Sequence, residues 1–182
     1  MEPLKKDDKR ILDNAPFGQL GLITVPGCEE MGKKIDYYLT HWRAERQHEH
    51  KDSPAFAGYQ RSTYIIGSKA PRFGTGEAKG VLEESVRGMD LYILVDVVNY
   101  SRTYRMFSVD NHMSPDDHFA NLKRVIAAVG GKARRITVIM PYLYESLQSK
   151  RTTRESLDCA IALQELVRMR SEEHTSELQS RS

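Results

Sequence analysis

Short apolar segments bounded by glycine, proline or charged residues alternate with helix-like segments along this chain. Four of them predict β-strands, at "LGLITV", "TYIIGS", "LYILVDVV" and "RITVIMP". The run Leu91–Val98 is apolar at nearly every position, which is too continuous for a strand with one face in water. It therefore predicts a central strand of a parallel sheet that is covered on both faces.

Three segments carry apolar residues at helical spacing. The first follows Cys28, and its predicted inner face consists of Met31, Ile35, Tyr38, Leu39 and Trp42. The second opens with Ser114 as N-cap and Pro115 in the first turn, and ends at Gly130. Its predicted buried face consists of Phe119, Leu122, Ile126 and Val129.

The third helix is predicted to begin near Thr152, because Thr152 and Glu155 have the spacing of a capping box. Its predicted inner face consists of Leu157, Ala160, Ile161 and Val167. Between the helices, the polar segments 44–62 and 99–113 are interpreted as connecting loops.

Alternation of strands and helices predicts an α/β fold, with a mostly parallel sheet and helices on both of its faces. Open sheets of this kind bind ligands beyond the carboxyl ends of their strands. The loops after Val98 and Met140 are therefore the first candidate binding regions.

The composition fits one soluble domain with a substantial core, since the chain has 182 residues, of which 40% are hydrophobic and 29% charged. A formal net charge of +2 without a dense basic stripe argues against a nucleic-acid binder. Cys28 and Cys159 form no disulfide framework, which favours a cytoplasmic location. We expect neither a signal peptide nor a membrane span, because no sufficiently long apolar run is present.

The two ends of the chain are interpreted separately from the domain between them. Residues 1–16 are polar and predicted to be a loose segment, and residues 17–169 form the predicted domain. The tail 170–182 contains "RSEEHTSELQS", which resembles a translated sequencing adapter and is interpreted as an artefact. The alternative is a genuine, frayed polar C-terminus.

Common catalytic motifs are missing from the sequence. Neither a phosphate-binding G-x-x-x-x-G-K-[ST] loop nor a G-x-G-x-x-G dinucleotide motif is present. His48 and His50, with His41 nearby, are candidate metal ligands. A metal site also needs a third ligand held on a rigid scaffold, and this polar segment is interpreted as a solvated loop instead. Cys159 lies on an apolar helix face and is interpreted as a small core residue. The residues alone indicate a soluble α/β domain that binds a ligand.

Two longer stretches resemble a known family. "RFGTGEAKGVLEESVRGMDLYIL" is similar to the N-terminal domain of ribose-phosphate pyrophosphokinases, the phosphoribosyl pyrophosphate synthetases. "RRITVIMPYLYESLQSKRTTRESLDCAIALQEL" resembles a strand of that domain and the nucleotide loop after it, and "PGCEEMGKKIDYYL" resembles its opening helix. The resemblance runs in one order from about Gly21 to Met169 and implies a phosphoribosyltransferase-like N-terminal domain.

The resemblance implies an enzyme that transfers the diphosphoryl group of ATP to ribose 5-phosphate, forming AMP and phosphoribosyl pyrophosphate with Mg²⁺. It also implies two similar domains and assembly into homo-oligomers, either dimers or hexamers. Carried over from the family, the ATP-binding residues are Phe73, Thr75, Glu77, Gln148 and Lys150. The alternative for Phe73 is a structural role, in which this loop aromatic closes a small satellite core.

The chain departs from the family pattern at two positions in these loops. Leu147 stands where the family has arginine. A guanidinium that can form two hydrogen bonds to a phosphate is therefore replaced by an alkyl chain. Thr75 stands where the family usually has Asp or Asn, which is a milder change.

The resemblance further assigns a regulatory phosphate site to Ser85 and Arg87 of "ESVRG", with Arg154 joining them. The alternative is that Glu84 and Arg87 form a surface ion pair of little energetic value.

The family's second-domain motifs, an acidic "DD" loop followed by "TGGT", are missing from the chain. We therefore expect this polypeptide to be an ATP-side fragment that is inactive alone. Two other interpretations stay open: a non-catalytic homologue that regulates or scaffolds a synthetase, and an unrelated flavodoxin-like binding module.

Overall fold

The computed structural model describes residues 16–46, 59–148 and 150–179, and for residues 170–179 it describes the backbone alone. The predicted loose segment 1–16 therefore lies outside the described residues except for Pro16. In chain order the elements are β1 (Leu20–Thr24), α1 (Glu29–Glu45), β2 (Ile65–Ile66), β3 (Ser68–Lys69), β4 (Val81–Leu82), β5 (Asp90–Leu94), β6 (Thr103–Met106), β7 (Val109–His112), α2 (Pro115–Val129), β8 (Arg135–Ile139), a 3-10 turn (Ser146–Gln148) and α3 (Asp158–Gln179).

Four strands form the main sheet, in the order β2-β1-β5-β8, and all of their pairings are parallel. The prediction of a central strand is confirmed, because β5 lies between β1 and β8. The strand is shorter than the apolar run, however, since it ends at Leu94. Val95 and Val97 are buried beyond its end. The strand predicted at "RITVIMP" also forms, but β8 lies at the sheet edge and is only partly buried.

Helices cover both faces of the sheet, as predicted, because side chains alternate along each strand. On one face Leu91 and Ile93 of β5 belong to a core that includes Leu122 of α2 and Ala162 of α3. On the other face Leu94 belongs to a smaller core against which α1 packs.

Helix α2 follows its sequence signals closely. The Ser114 hydroxyl accepts a hydrogen bond from the Asp117 N–H at 3.1 Å, and the Ser114 N–H donates to the Asp117 carboxylate at 3.0 Å. The helix ends where Gly130 adopts a φ of 58°, which favours glycine. All four residues of its predicted inner face are buried.

The predicted inner face of α1 is largely wrong. Met31, Tyr38 and Trp42 are 40%, 53% and 56% exposed. The helix instead approaches the sheet along Gly32, where an added Cβ would lie 2.2 Å from the Thr24 Cγ2 atom. This close approach turns the larger side chains away, and only Ile35 and Leu39 of the predicted set pack against the core.

The predicted start and inner face of α3 are also wrong. The hydroxyl of Thr152 donates to the Glu155 carboxylate at 3.0 Å, but this bond closes a turn ahead of the helix, which begins at Asp158. Ile161 and Val167 are 56% and 69% exposed, whereas Leu157 and Ala160 are half-buried. The helix packs through the residues Cys159, Ala162, Leu166 and Met169. The interpretation of Cys159 as a small core residue is confirmed, and both cysteines are free.

The segment 99–113 is more than the loop that was predicted, because it contains the antiparallel hairpin of β6 and β7. The segment between the second and third apolar runs likewise contains a small antiparallel pair, β3 with β4. Both pairs lie outside the main sheet.

Candidate functional site

The loops after β1 and β5 are tied together at the carboxyl edge of the sheet. The side-chain amide of Asn99 donates to the Gly27 carbonyl at 3.0 Å. The Gly27 N–H donates to the Glu29 carboxylate at 2.9 Å, and Arg102 forms an ion pair with the same carboxylate. These contacts fix one wall of the region where ligands bind in open parallel sheets.

Phe73, Thr75 and Glu77 lie in one tight turn between β3 and β4. The Phe73 N–H donates to the Glu77 carbonyl at 2.8 Å, and the Thr75 hydroxyl donates to the Glu77 carboxylate at 3.1 Å. The structure therefore brings these three predicted residues together. Phe73 is 54% exposed, so the alternative that it closes a satellite core is wrong.

Arg72 anchors this turn to the start of helix α2. Its guanidinium donates to the Gly76 carbonyl at 2.9 Å and to Asp117 Oδ1 at 2.8 Å, and its central carbon lies 3.9 Å from the ring centroid of Tyr104. The Arg72 side chain is only 11% exposed, which strengthens the charged hydrogen bond. The turn is thus held on one side by α2 and on the other by the hairpin.

The carboxylate of Asp117 is adapted to this pairing. Its burial alone raises the pKa of Asp117, but hydrogen bonds from Ser114 and Arg72 and the charge of Arg72 outweigh burial. The pKa is consequently held below its ordinary value of 3.8. The ion pair is therefore fully formed at neutral pH.

The loop after β8 reaches the same turn of α2 through Tyr144. The Tyr144 hydroxyl donates to Asp116 Oδ1 at 2.7 Å, and its ring stacks on Phe119 with a centroid distance of 4.2 Å. Burial, followed by the hydrogen bond to Asp116, raises the pKa of Tyr144 well above its ordinary value of 10.0. The hydroxyl therefore stays protonated and remains a donor.

Gln148 and Lys150 follow Tyr144 on this loop, and both side chains are exposed. The Gln148 N–H donates to the Glu145 carbonyl at 2.9 Å, which closes the short 3-10 turn. Ser149 lies outside the described residues. Leu147 is 88% exposed and has no part in the core, so its alkyl chain does not serve packing.

The two candidate loops are thus anchored on neighbouring residues of one helical turn. Arg72 binds Asp117 and Tyr144 binds Asp116, both in the first turn of α2. Neither anchor was predictable from the sequence, because each contact joins residues far apart in the chain. The hairpin that supports Arg72 has one signal in the sequence, the alternation of apolar and polar residues around Tyr104 and Met106, which indicates a β-strand.

The predicted phosphate-binding residues are not brought together in the described part of the chain. The Ser85 hydroxyl accepts a hydrogen bond from the Arg87 N–H at a long 3.5 Å. Among the described residues, no hydrogen bond or ion pair joins Arg154 to either of them. The alternative pairing of Glu84 with Arg87 is wrong, because Glu84 pairs with Arg61 at 3.6 Å. Arg61 also has one buried guanidinium nitrogen, Nη1, without a hydrogen-bond partner among the described residues.

The described residues do not assemble a metal site of their own. Among them, no group of three or more His, Cys, Asp or Glu side chains is placed to hold an ion. Asp116 and Asp117 are already engaged by Tyr144 and Arg72. His41 lies 3.4 Å from Glu45 on α1, whereas His48 and His50 lie outside the described residues.

No helix within the described ranges has the length and apolarity to cross a membrane.

Comparisons with known proteins include a matching family model and similar solved structures. The family model for the N-terminal domain of ribose phosphate pyrophosphokinase matches residues 20–169. The fold is similar to that of a crystal structure of phosphoribosylpyrophosphate synthetase from Mycobacterium smegmatis, with a TM-score of 0.50 and 20% identity. That similarity covers 83% of this chain but 39% of the other. Curated protein sequences give no significant match.

Proposed function

Because the chain belongs to the ribose phosphate pyrophosphokinase family and carries that family's N-terminal domain, we propose that it supplies the ATP-binding half of a ribose-phosphate diphosphokinase. The complete reaction converts ATP and ribose 5-phosphate to AMP and phosphoribosyl pyrophosphate, a transferase step in nucleotide biosynthesis. The observation that carries this proposal is the shared anchoring of two loops on Asp116 and Asp117.

The turn 73–77 provides the contacts that an adenine base requires. The exposed ring of Phe73 is available for stacking on the base. The Glu77 carboxylate accepts hydrogen bonds and would accept from the exocyclic amine, with Thr75 orienting it through their 3.1 Å hydrogen bond. The turn is pre-organised, so little ordering is needed when the nucleotide binds.

The loop after β8 provides the phosphate-side contacts. Lys150 is a flexible point charge for phosphate oxygens, and Gln148 offers an amide donor beside it. Mg²⁺ would accompany the ATP phosphates and neutralise their charge in the complete enzyme. The described residues of this chain fit base and phosphate binding, and they do not fit a protein-held magnesium site.

The segment Ser85–Arg87 is proposed as a regulatory phosphate site. Arg87 has no ion-pair partner among the described residues, and Arg61 next to Glu84 carries the unpartnered nitrogen. Arg154 would have to approach from the segment before α3. Binding of inorganic phosphate to the unmodified chain, weakened by Arg87→Ala and unaffected by Arg151→Ala, is the result that supports this assignment.

Homo-oligomerisation in the cytoplasm is proposed for the complete protein. Tyr37, Tyr38 and Trp42 leave an aromatic surface on α1 that is 53–65% exposed, which suits a contact between subunits. The free, buried thiols of Cys28 and Cys159 suit a reducing compartment.

A non-catalytic regulatory homologue is the second candidate function, and Leu147 favours it. Release of AMP from ATP and ribose 5-phosphate, followed in a coupled assay with Mg²⁺, separates the two candidates. We expect no AMP release from the 182-residue chain alone, because it spans 39% of the length of the crystallised synthetase. A longer version that also carries the family's acidic "DD" loop and "TGGT" is expected to release AMP, and its failure would favour the regulator.

Leu147→Arg is expected to tighten ATP binding. The Leu147 side chain is 88% exposed, so its replacement removes no core packing. The new guanidinium would be carried by the residue that precedes Gln148. A regained charged hydrogen bond is worth about 1.5–3 kcal/mol. Calorimetric titration with ATP measures the gain, and Leu147→Met is the matched control that adds no charge. If Leu147→Arg and Leu147→Met bind ATP with equal affinity, this loop does not belong to the phosphate site.

A further inference from the structure

The tip of the β6–β7 hairpin has an unusual residue for its backbone conformation. Phe107 and Ser108 form the two-residue turn, and their φ angles are 48° and 67°. Positive φ at both positions is typical of a type I′ turn, which strongly favours asparagine and glycine. The Phe107 side chain is 74% exposed, so burial in the core does not offset the conformational cost.

The hairpin tip lies directly on the turn that carries Phe73. The Phe107 N–H donates to the Gly74 carbonyl at 3.1 Å. The Met106 side chain packs so closely that a Cβ added to Gly76 would lie 2.7 Å from its sulfur. Gly76 also has a φ of 93°, a conformation that favours glycine. The two segments therefore form one unit.

This junction joins two segments that each carry an exposed aromatic residue, Phe73 and Phe107. Phe73 is adjacent in sequence to Gly74, whose carbonyl holds the backbone of Phe107. Strained backbone tends to occur where function requires it, and exposed rings offer stacking surfaces to any base. Neither ring contributes to either hydrophobic core of the described residues.

We propose that Phe107 is a second base-binding residue, which contacts the adenine that stacks on Phe73. The inference rests on the function proposed above and adds the hairpin to that site. It explains why a phenylalanine, which is poorly suited to the turn, occupies its first position. It also gives the contact between the hairpin and residues 74–76 a role in binding.

The test is a calorimetric titration of ATP, in parallel with inorganic tripolyphosphate, into the unmodified chain, Phe107→Asn and Tyr37→Ala. Asparagine suits the turn, so Phe107→Asn is expected to keep or raise the thermal midpoint. It is expected to weaken ATP binding roughly 5- to 150-fold, the range for loss of one stacking contact, without changing tripolyphosphate binding. Tyr37, a similarly exposed aromatic at 65% on α1, is the control, and its loss should leave both affinities unchanged.

Two outcomes overturn the inference, and they differ in whether the proposed function also fails. If Phe107→Asn binds ATP as tightly as the unmodified chain while Phe73→Ala binds it more weakly, the hairpin has no role and the proposed function stands. If the unmodified chain binds ATP no better than tripolyphosphate, no base is recognised, and the adenine assignment fails together with the inference.

Discussion

Leu91→Ala is expected to lower the free energy of unfolding by about 2–5 kcal/mol, the range for large-to-small changes in cores. Leu91 is 0% exposed and lies on the central strand, paired with Gly21 on one side and Ile136 on the other. Its side chain belongs to the larger core, which α2 and α3 cover. Elements on all sides hold the surrounding atoms in place, so the cavity cannot close easily.

Urea unfolding followed by circular dichroism measures this loss. Leu147→Ala removes the same atoms from a side chain that is 88% exposed, and it should change stability by less than about 0.5 kcal/mol. Comparable effects of the two substitutions would mean that β5 is not the centre of the sheet.

Arg72→Ala is expected to produce the second large effect, both on stability and on nucleotide affinity. It removes the hydrogen bonds to Asp117 and to the Gly76 carbonyl and leaves a half-buried carboxylate without its partner. Loss of a charged hydrogen bond costs about 1.5–3 kcal/mol. The turn 73–77 would also lose its anchor, so ATP should bind more weakly even where the protein is fully folded.

The stability part of this prediction depends on pH. The pKa of Asp117 is lowered in the folded state, so its contribution is present above the ordinary aspartate pKa of 3.8 and is lost as pH falls below it. The difference between unmodified protein and Arg72→Ala should therefore be full at pH 7 and shrink toward pH 3. A difference that stays constant over this range would mean that the ion pair contributes nothing.

Lys33→Ala is the matched control for Arg72→Ala, because it also removes a cation from an ion pair. Lys33 lies 2.8 Å from Glu30 on α1, but the two side chains are 66% and 81% exposed. Exposed pairs contribute about 0–1 kcal/mol. Unfolding at neutral pH should therefore separate the two variants clearly.

Features encoded in adjacent residues were predictable from the sequence. The continuous apolar run at Leu91 identified the central strand, and Ser114 with Pro115 identified the start of α2. The turn containing Phe73 and Glu77 was found through its resemblance to a family, and the structure places these residues together. In each case the signal lies within a few residues of the feature.

Features that depend on distant contacts were not predictable in this way. The inner face of α1 is set by the close approach of Gly32 to Thr24, which apolar periodicity does not reveal. The anchors Arg72 and Tyr144 contact Asp117 and Asp116 across 45 and 28 residues of sequence. The hairpin was missed because its turn, Phe107–Ser108, lacks the Asn-Gly or Asp-Gly pair that usually marks a two-residue hairpin.

Titration of ATP into the unmodified chain and into Phe73→Ala determines whether the exposed turn 73–77 is an adenine site. We expect ATP to bind, and we expect Phe73→Ala to weaken binding by about 1–3 kcal/mol, as when one stacking contact is lost. Tyr37→Ala, which removes a ring that is 65% exposed on α1, should bind ATP like the unmodified chain. ATP binding that is unchanged in Phe73→Ala, or that is absent from the unmodified chain, would contradict the account.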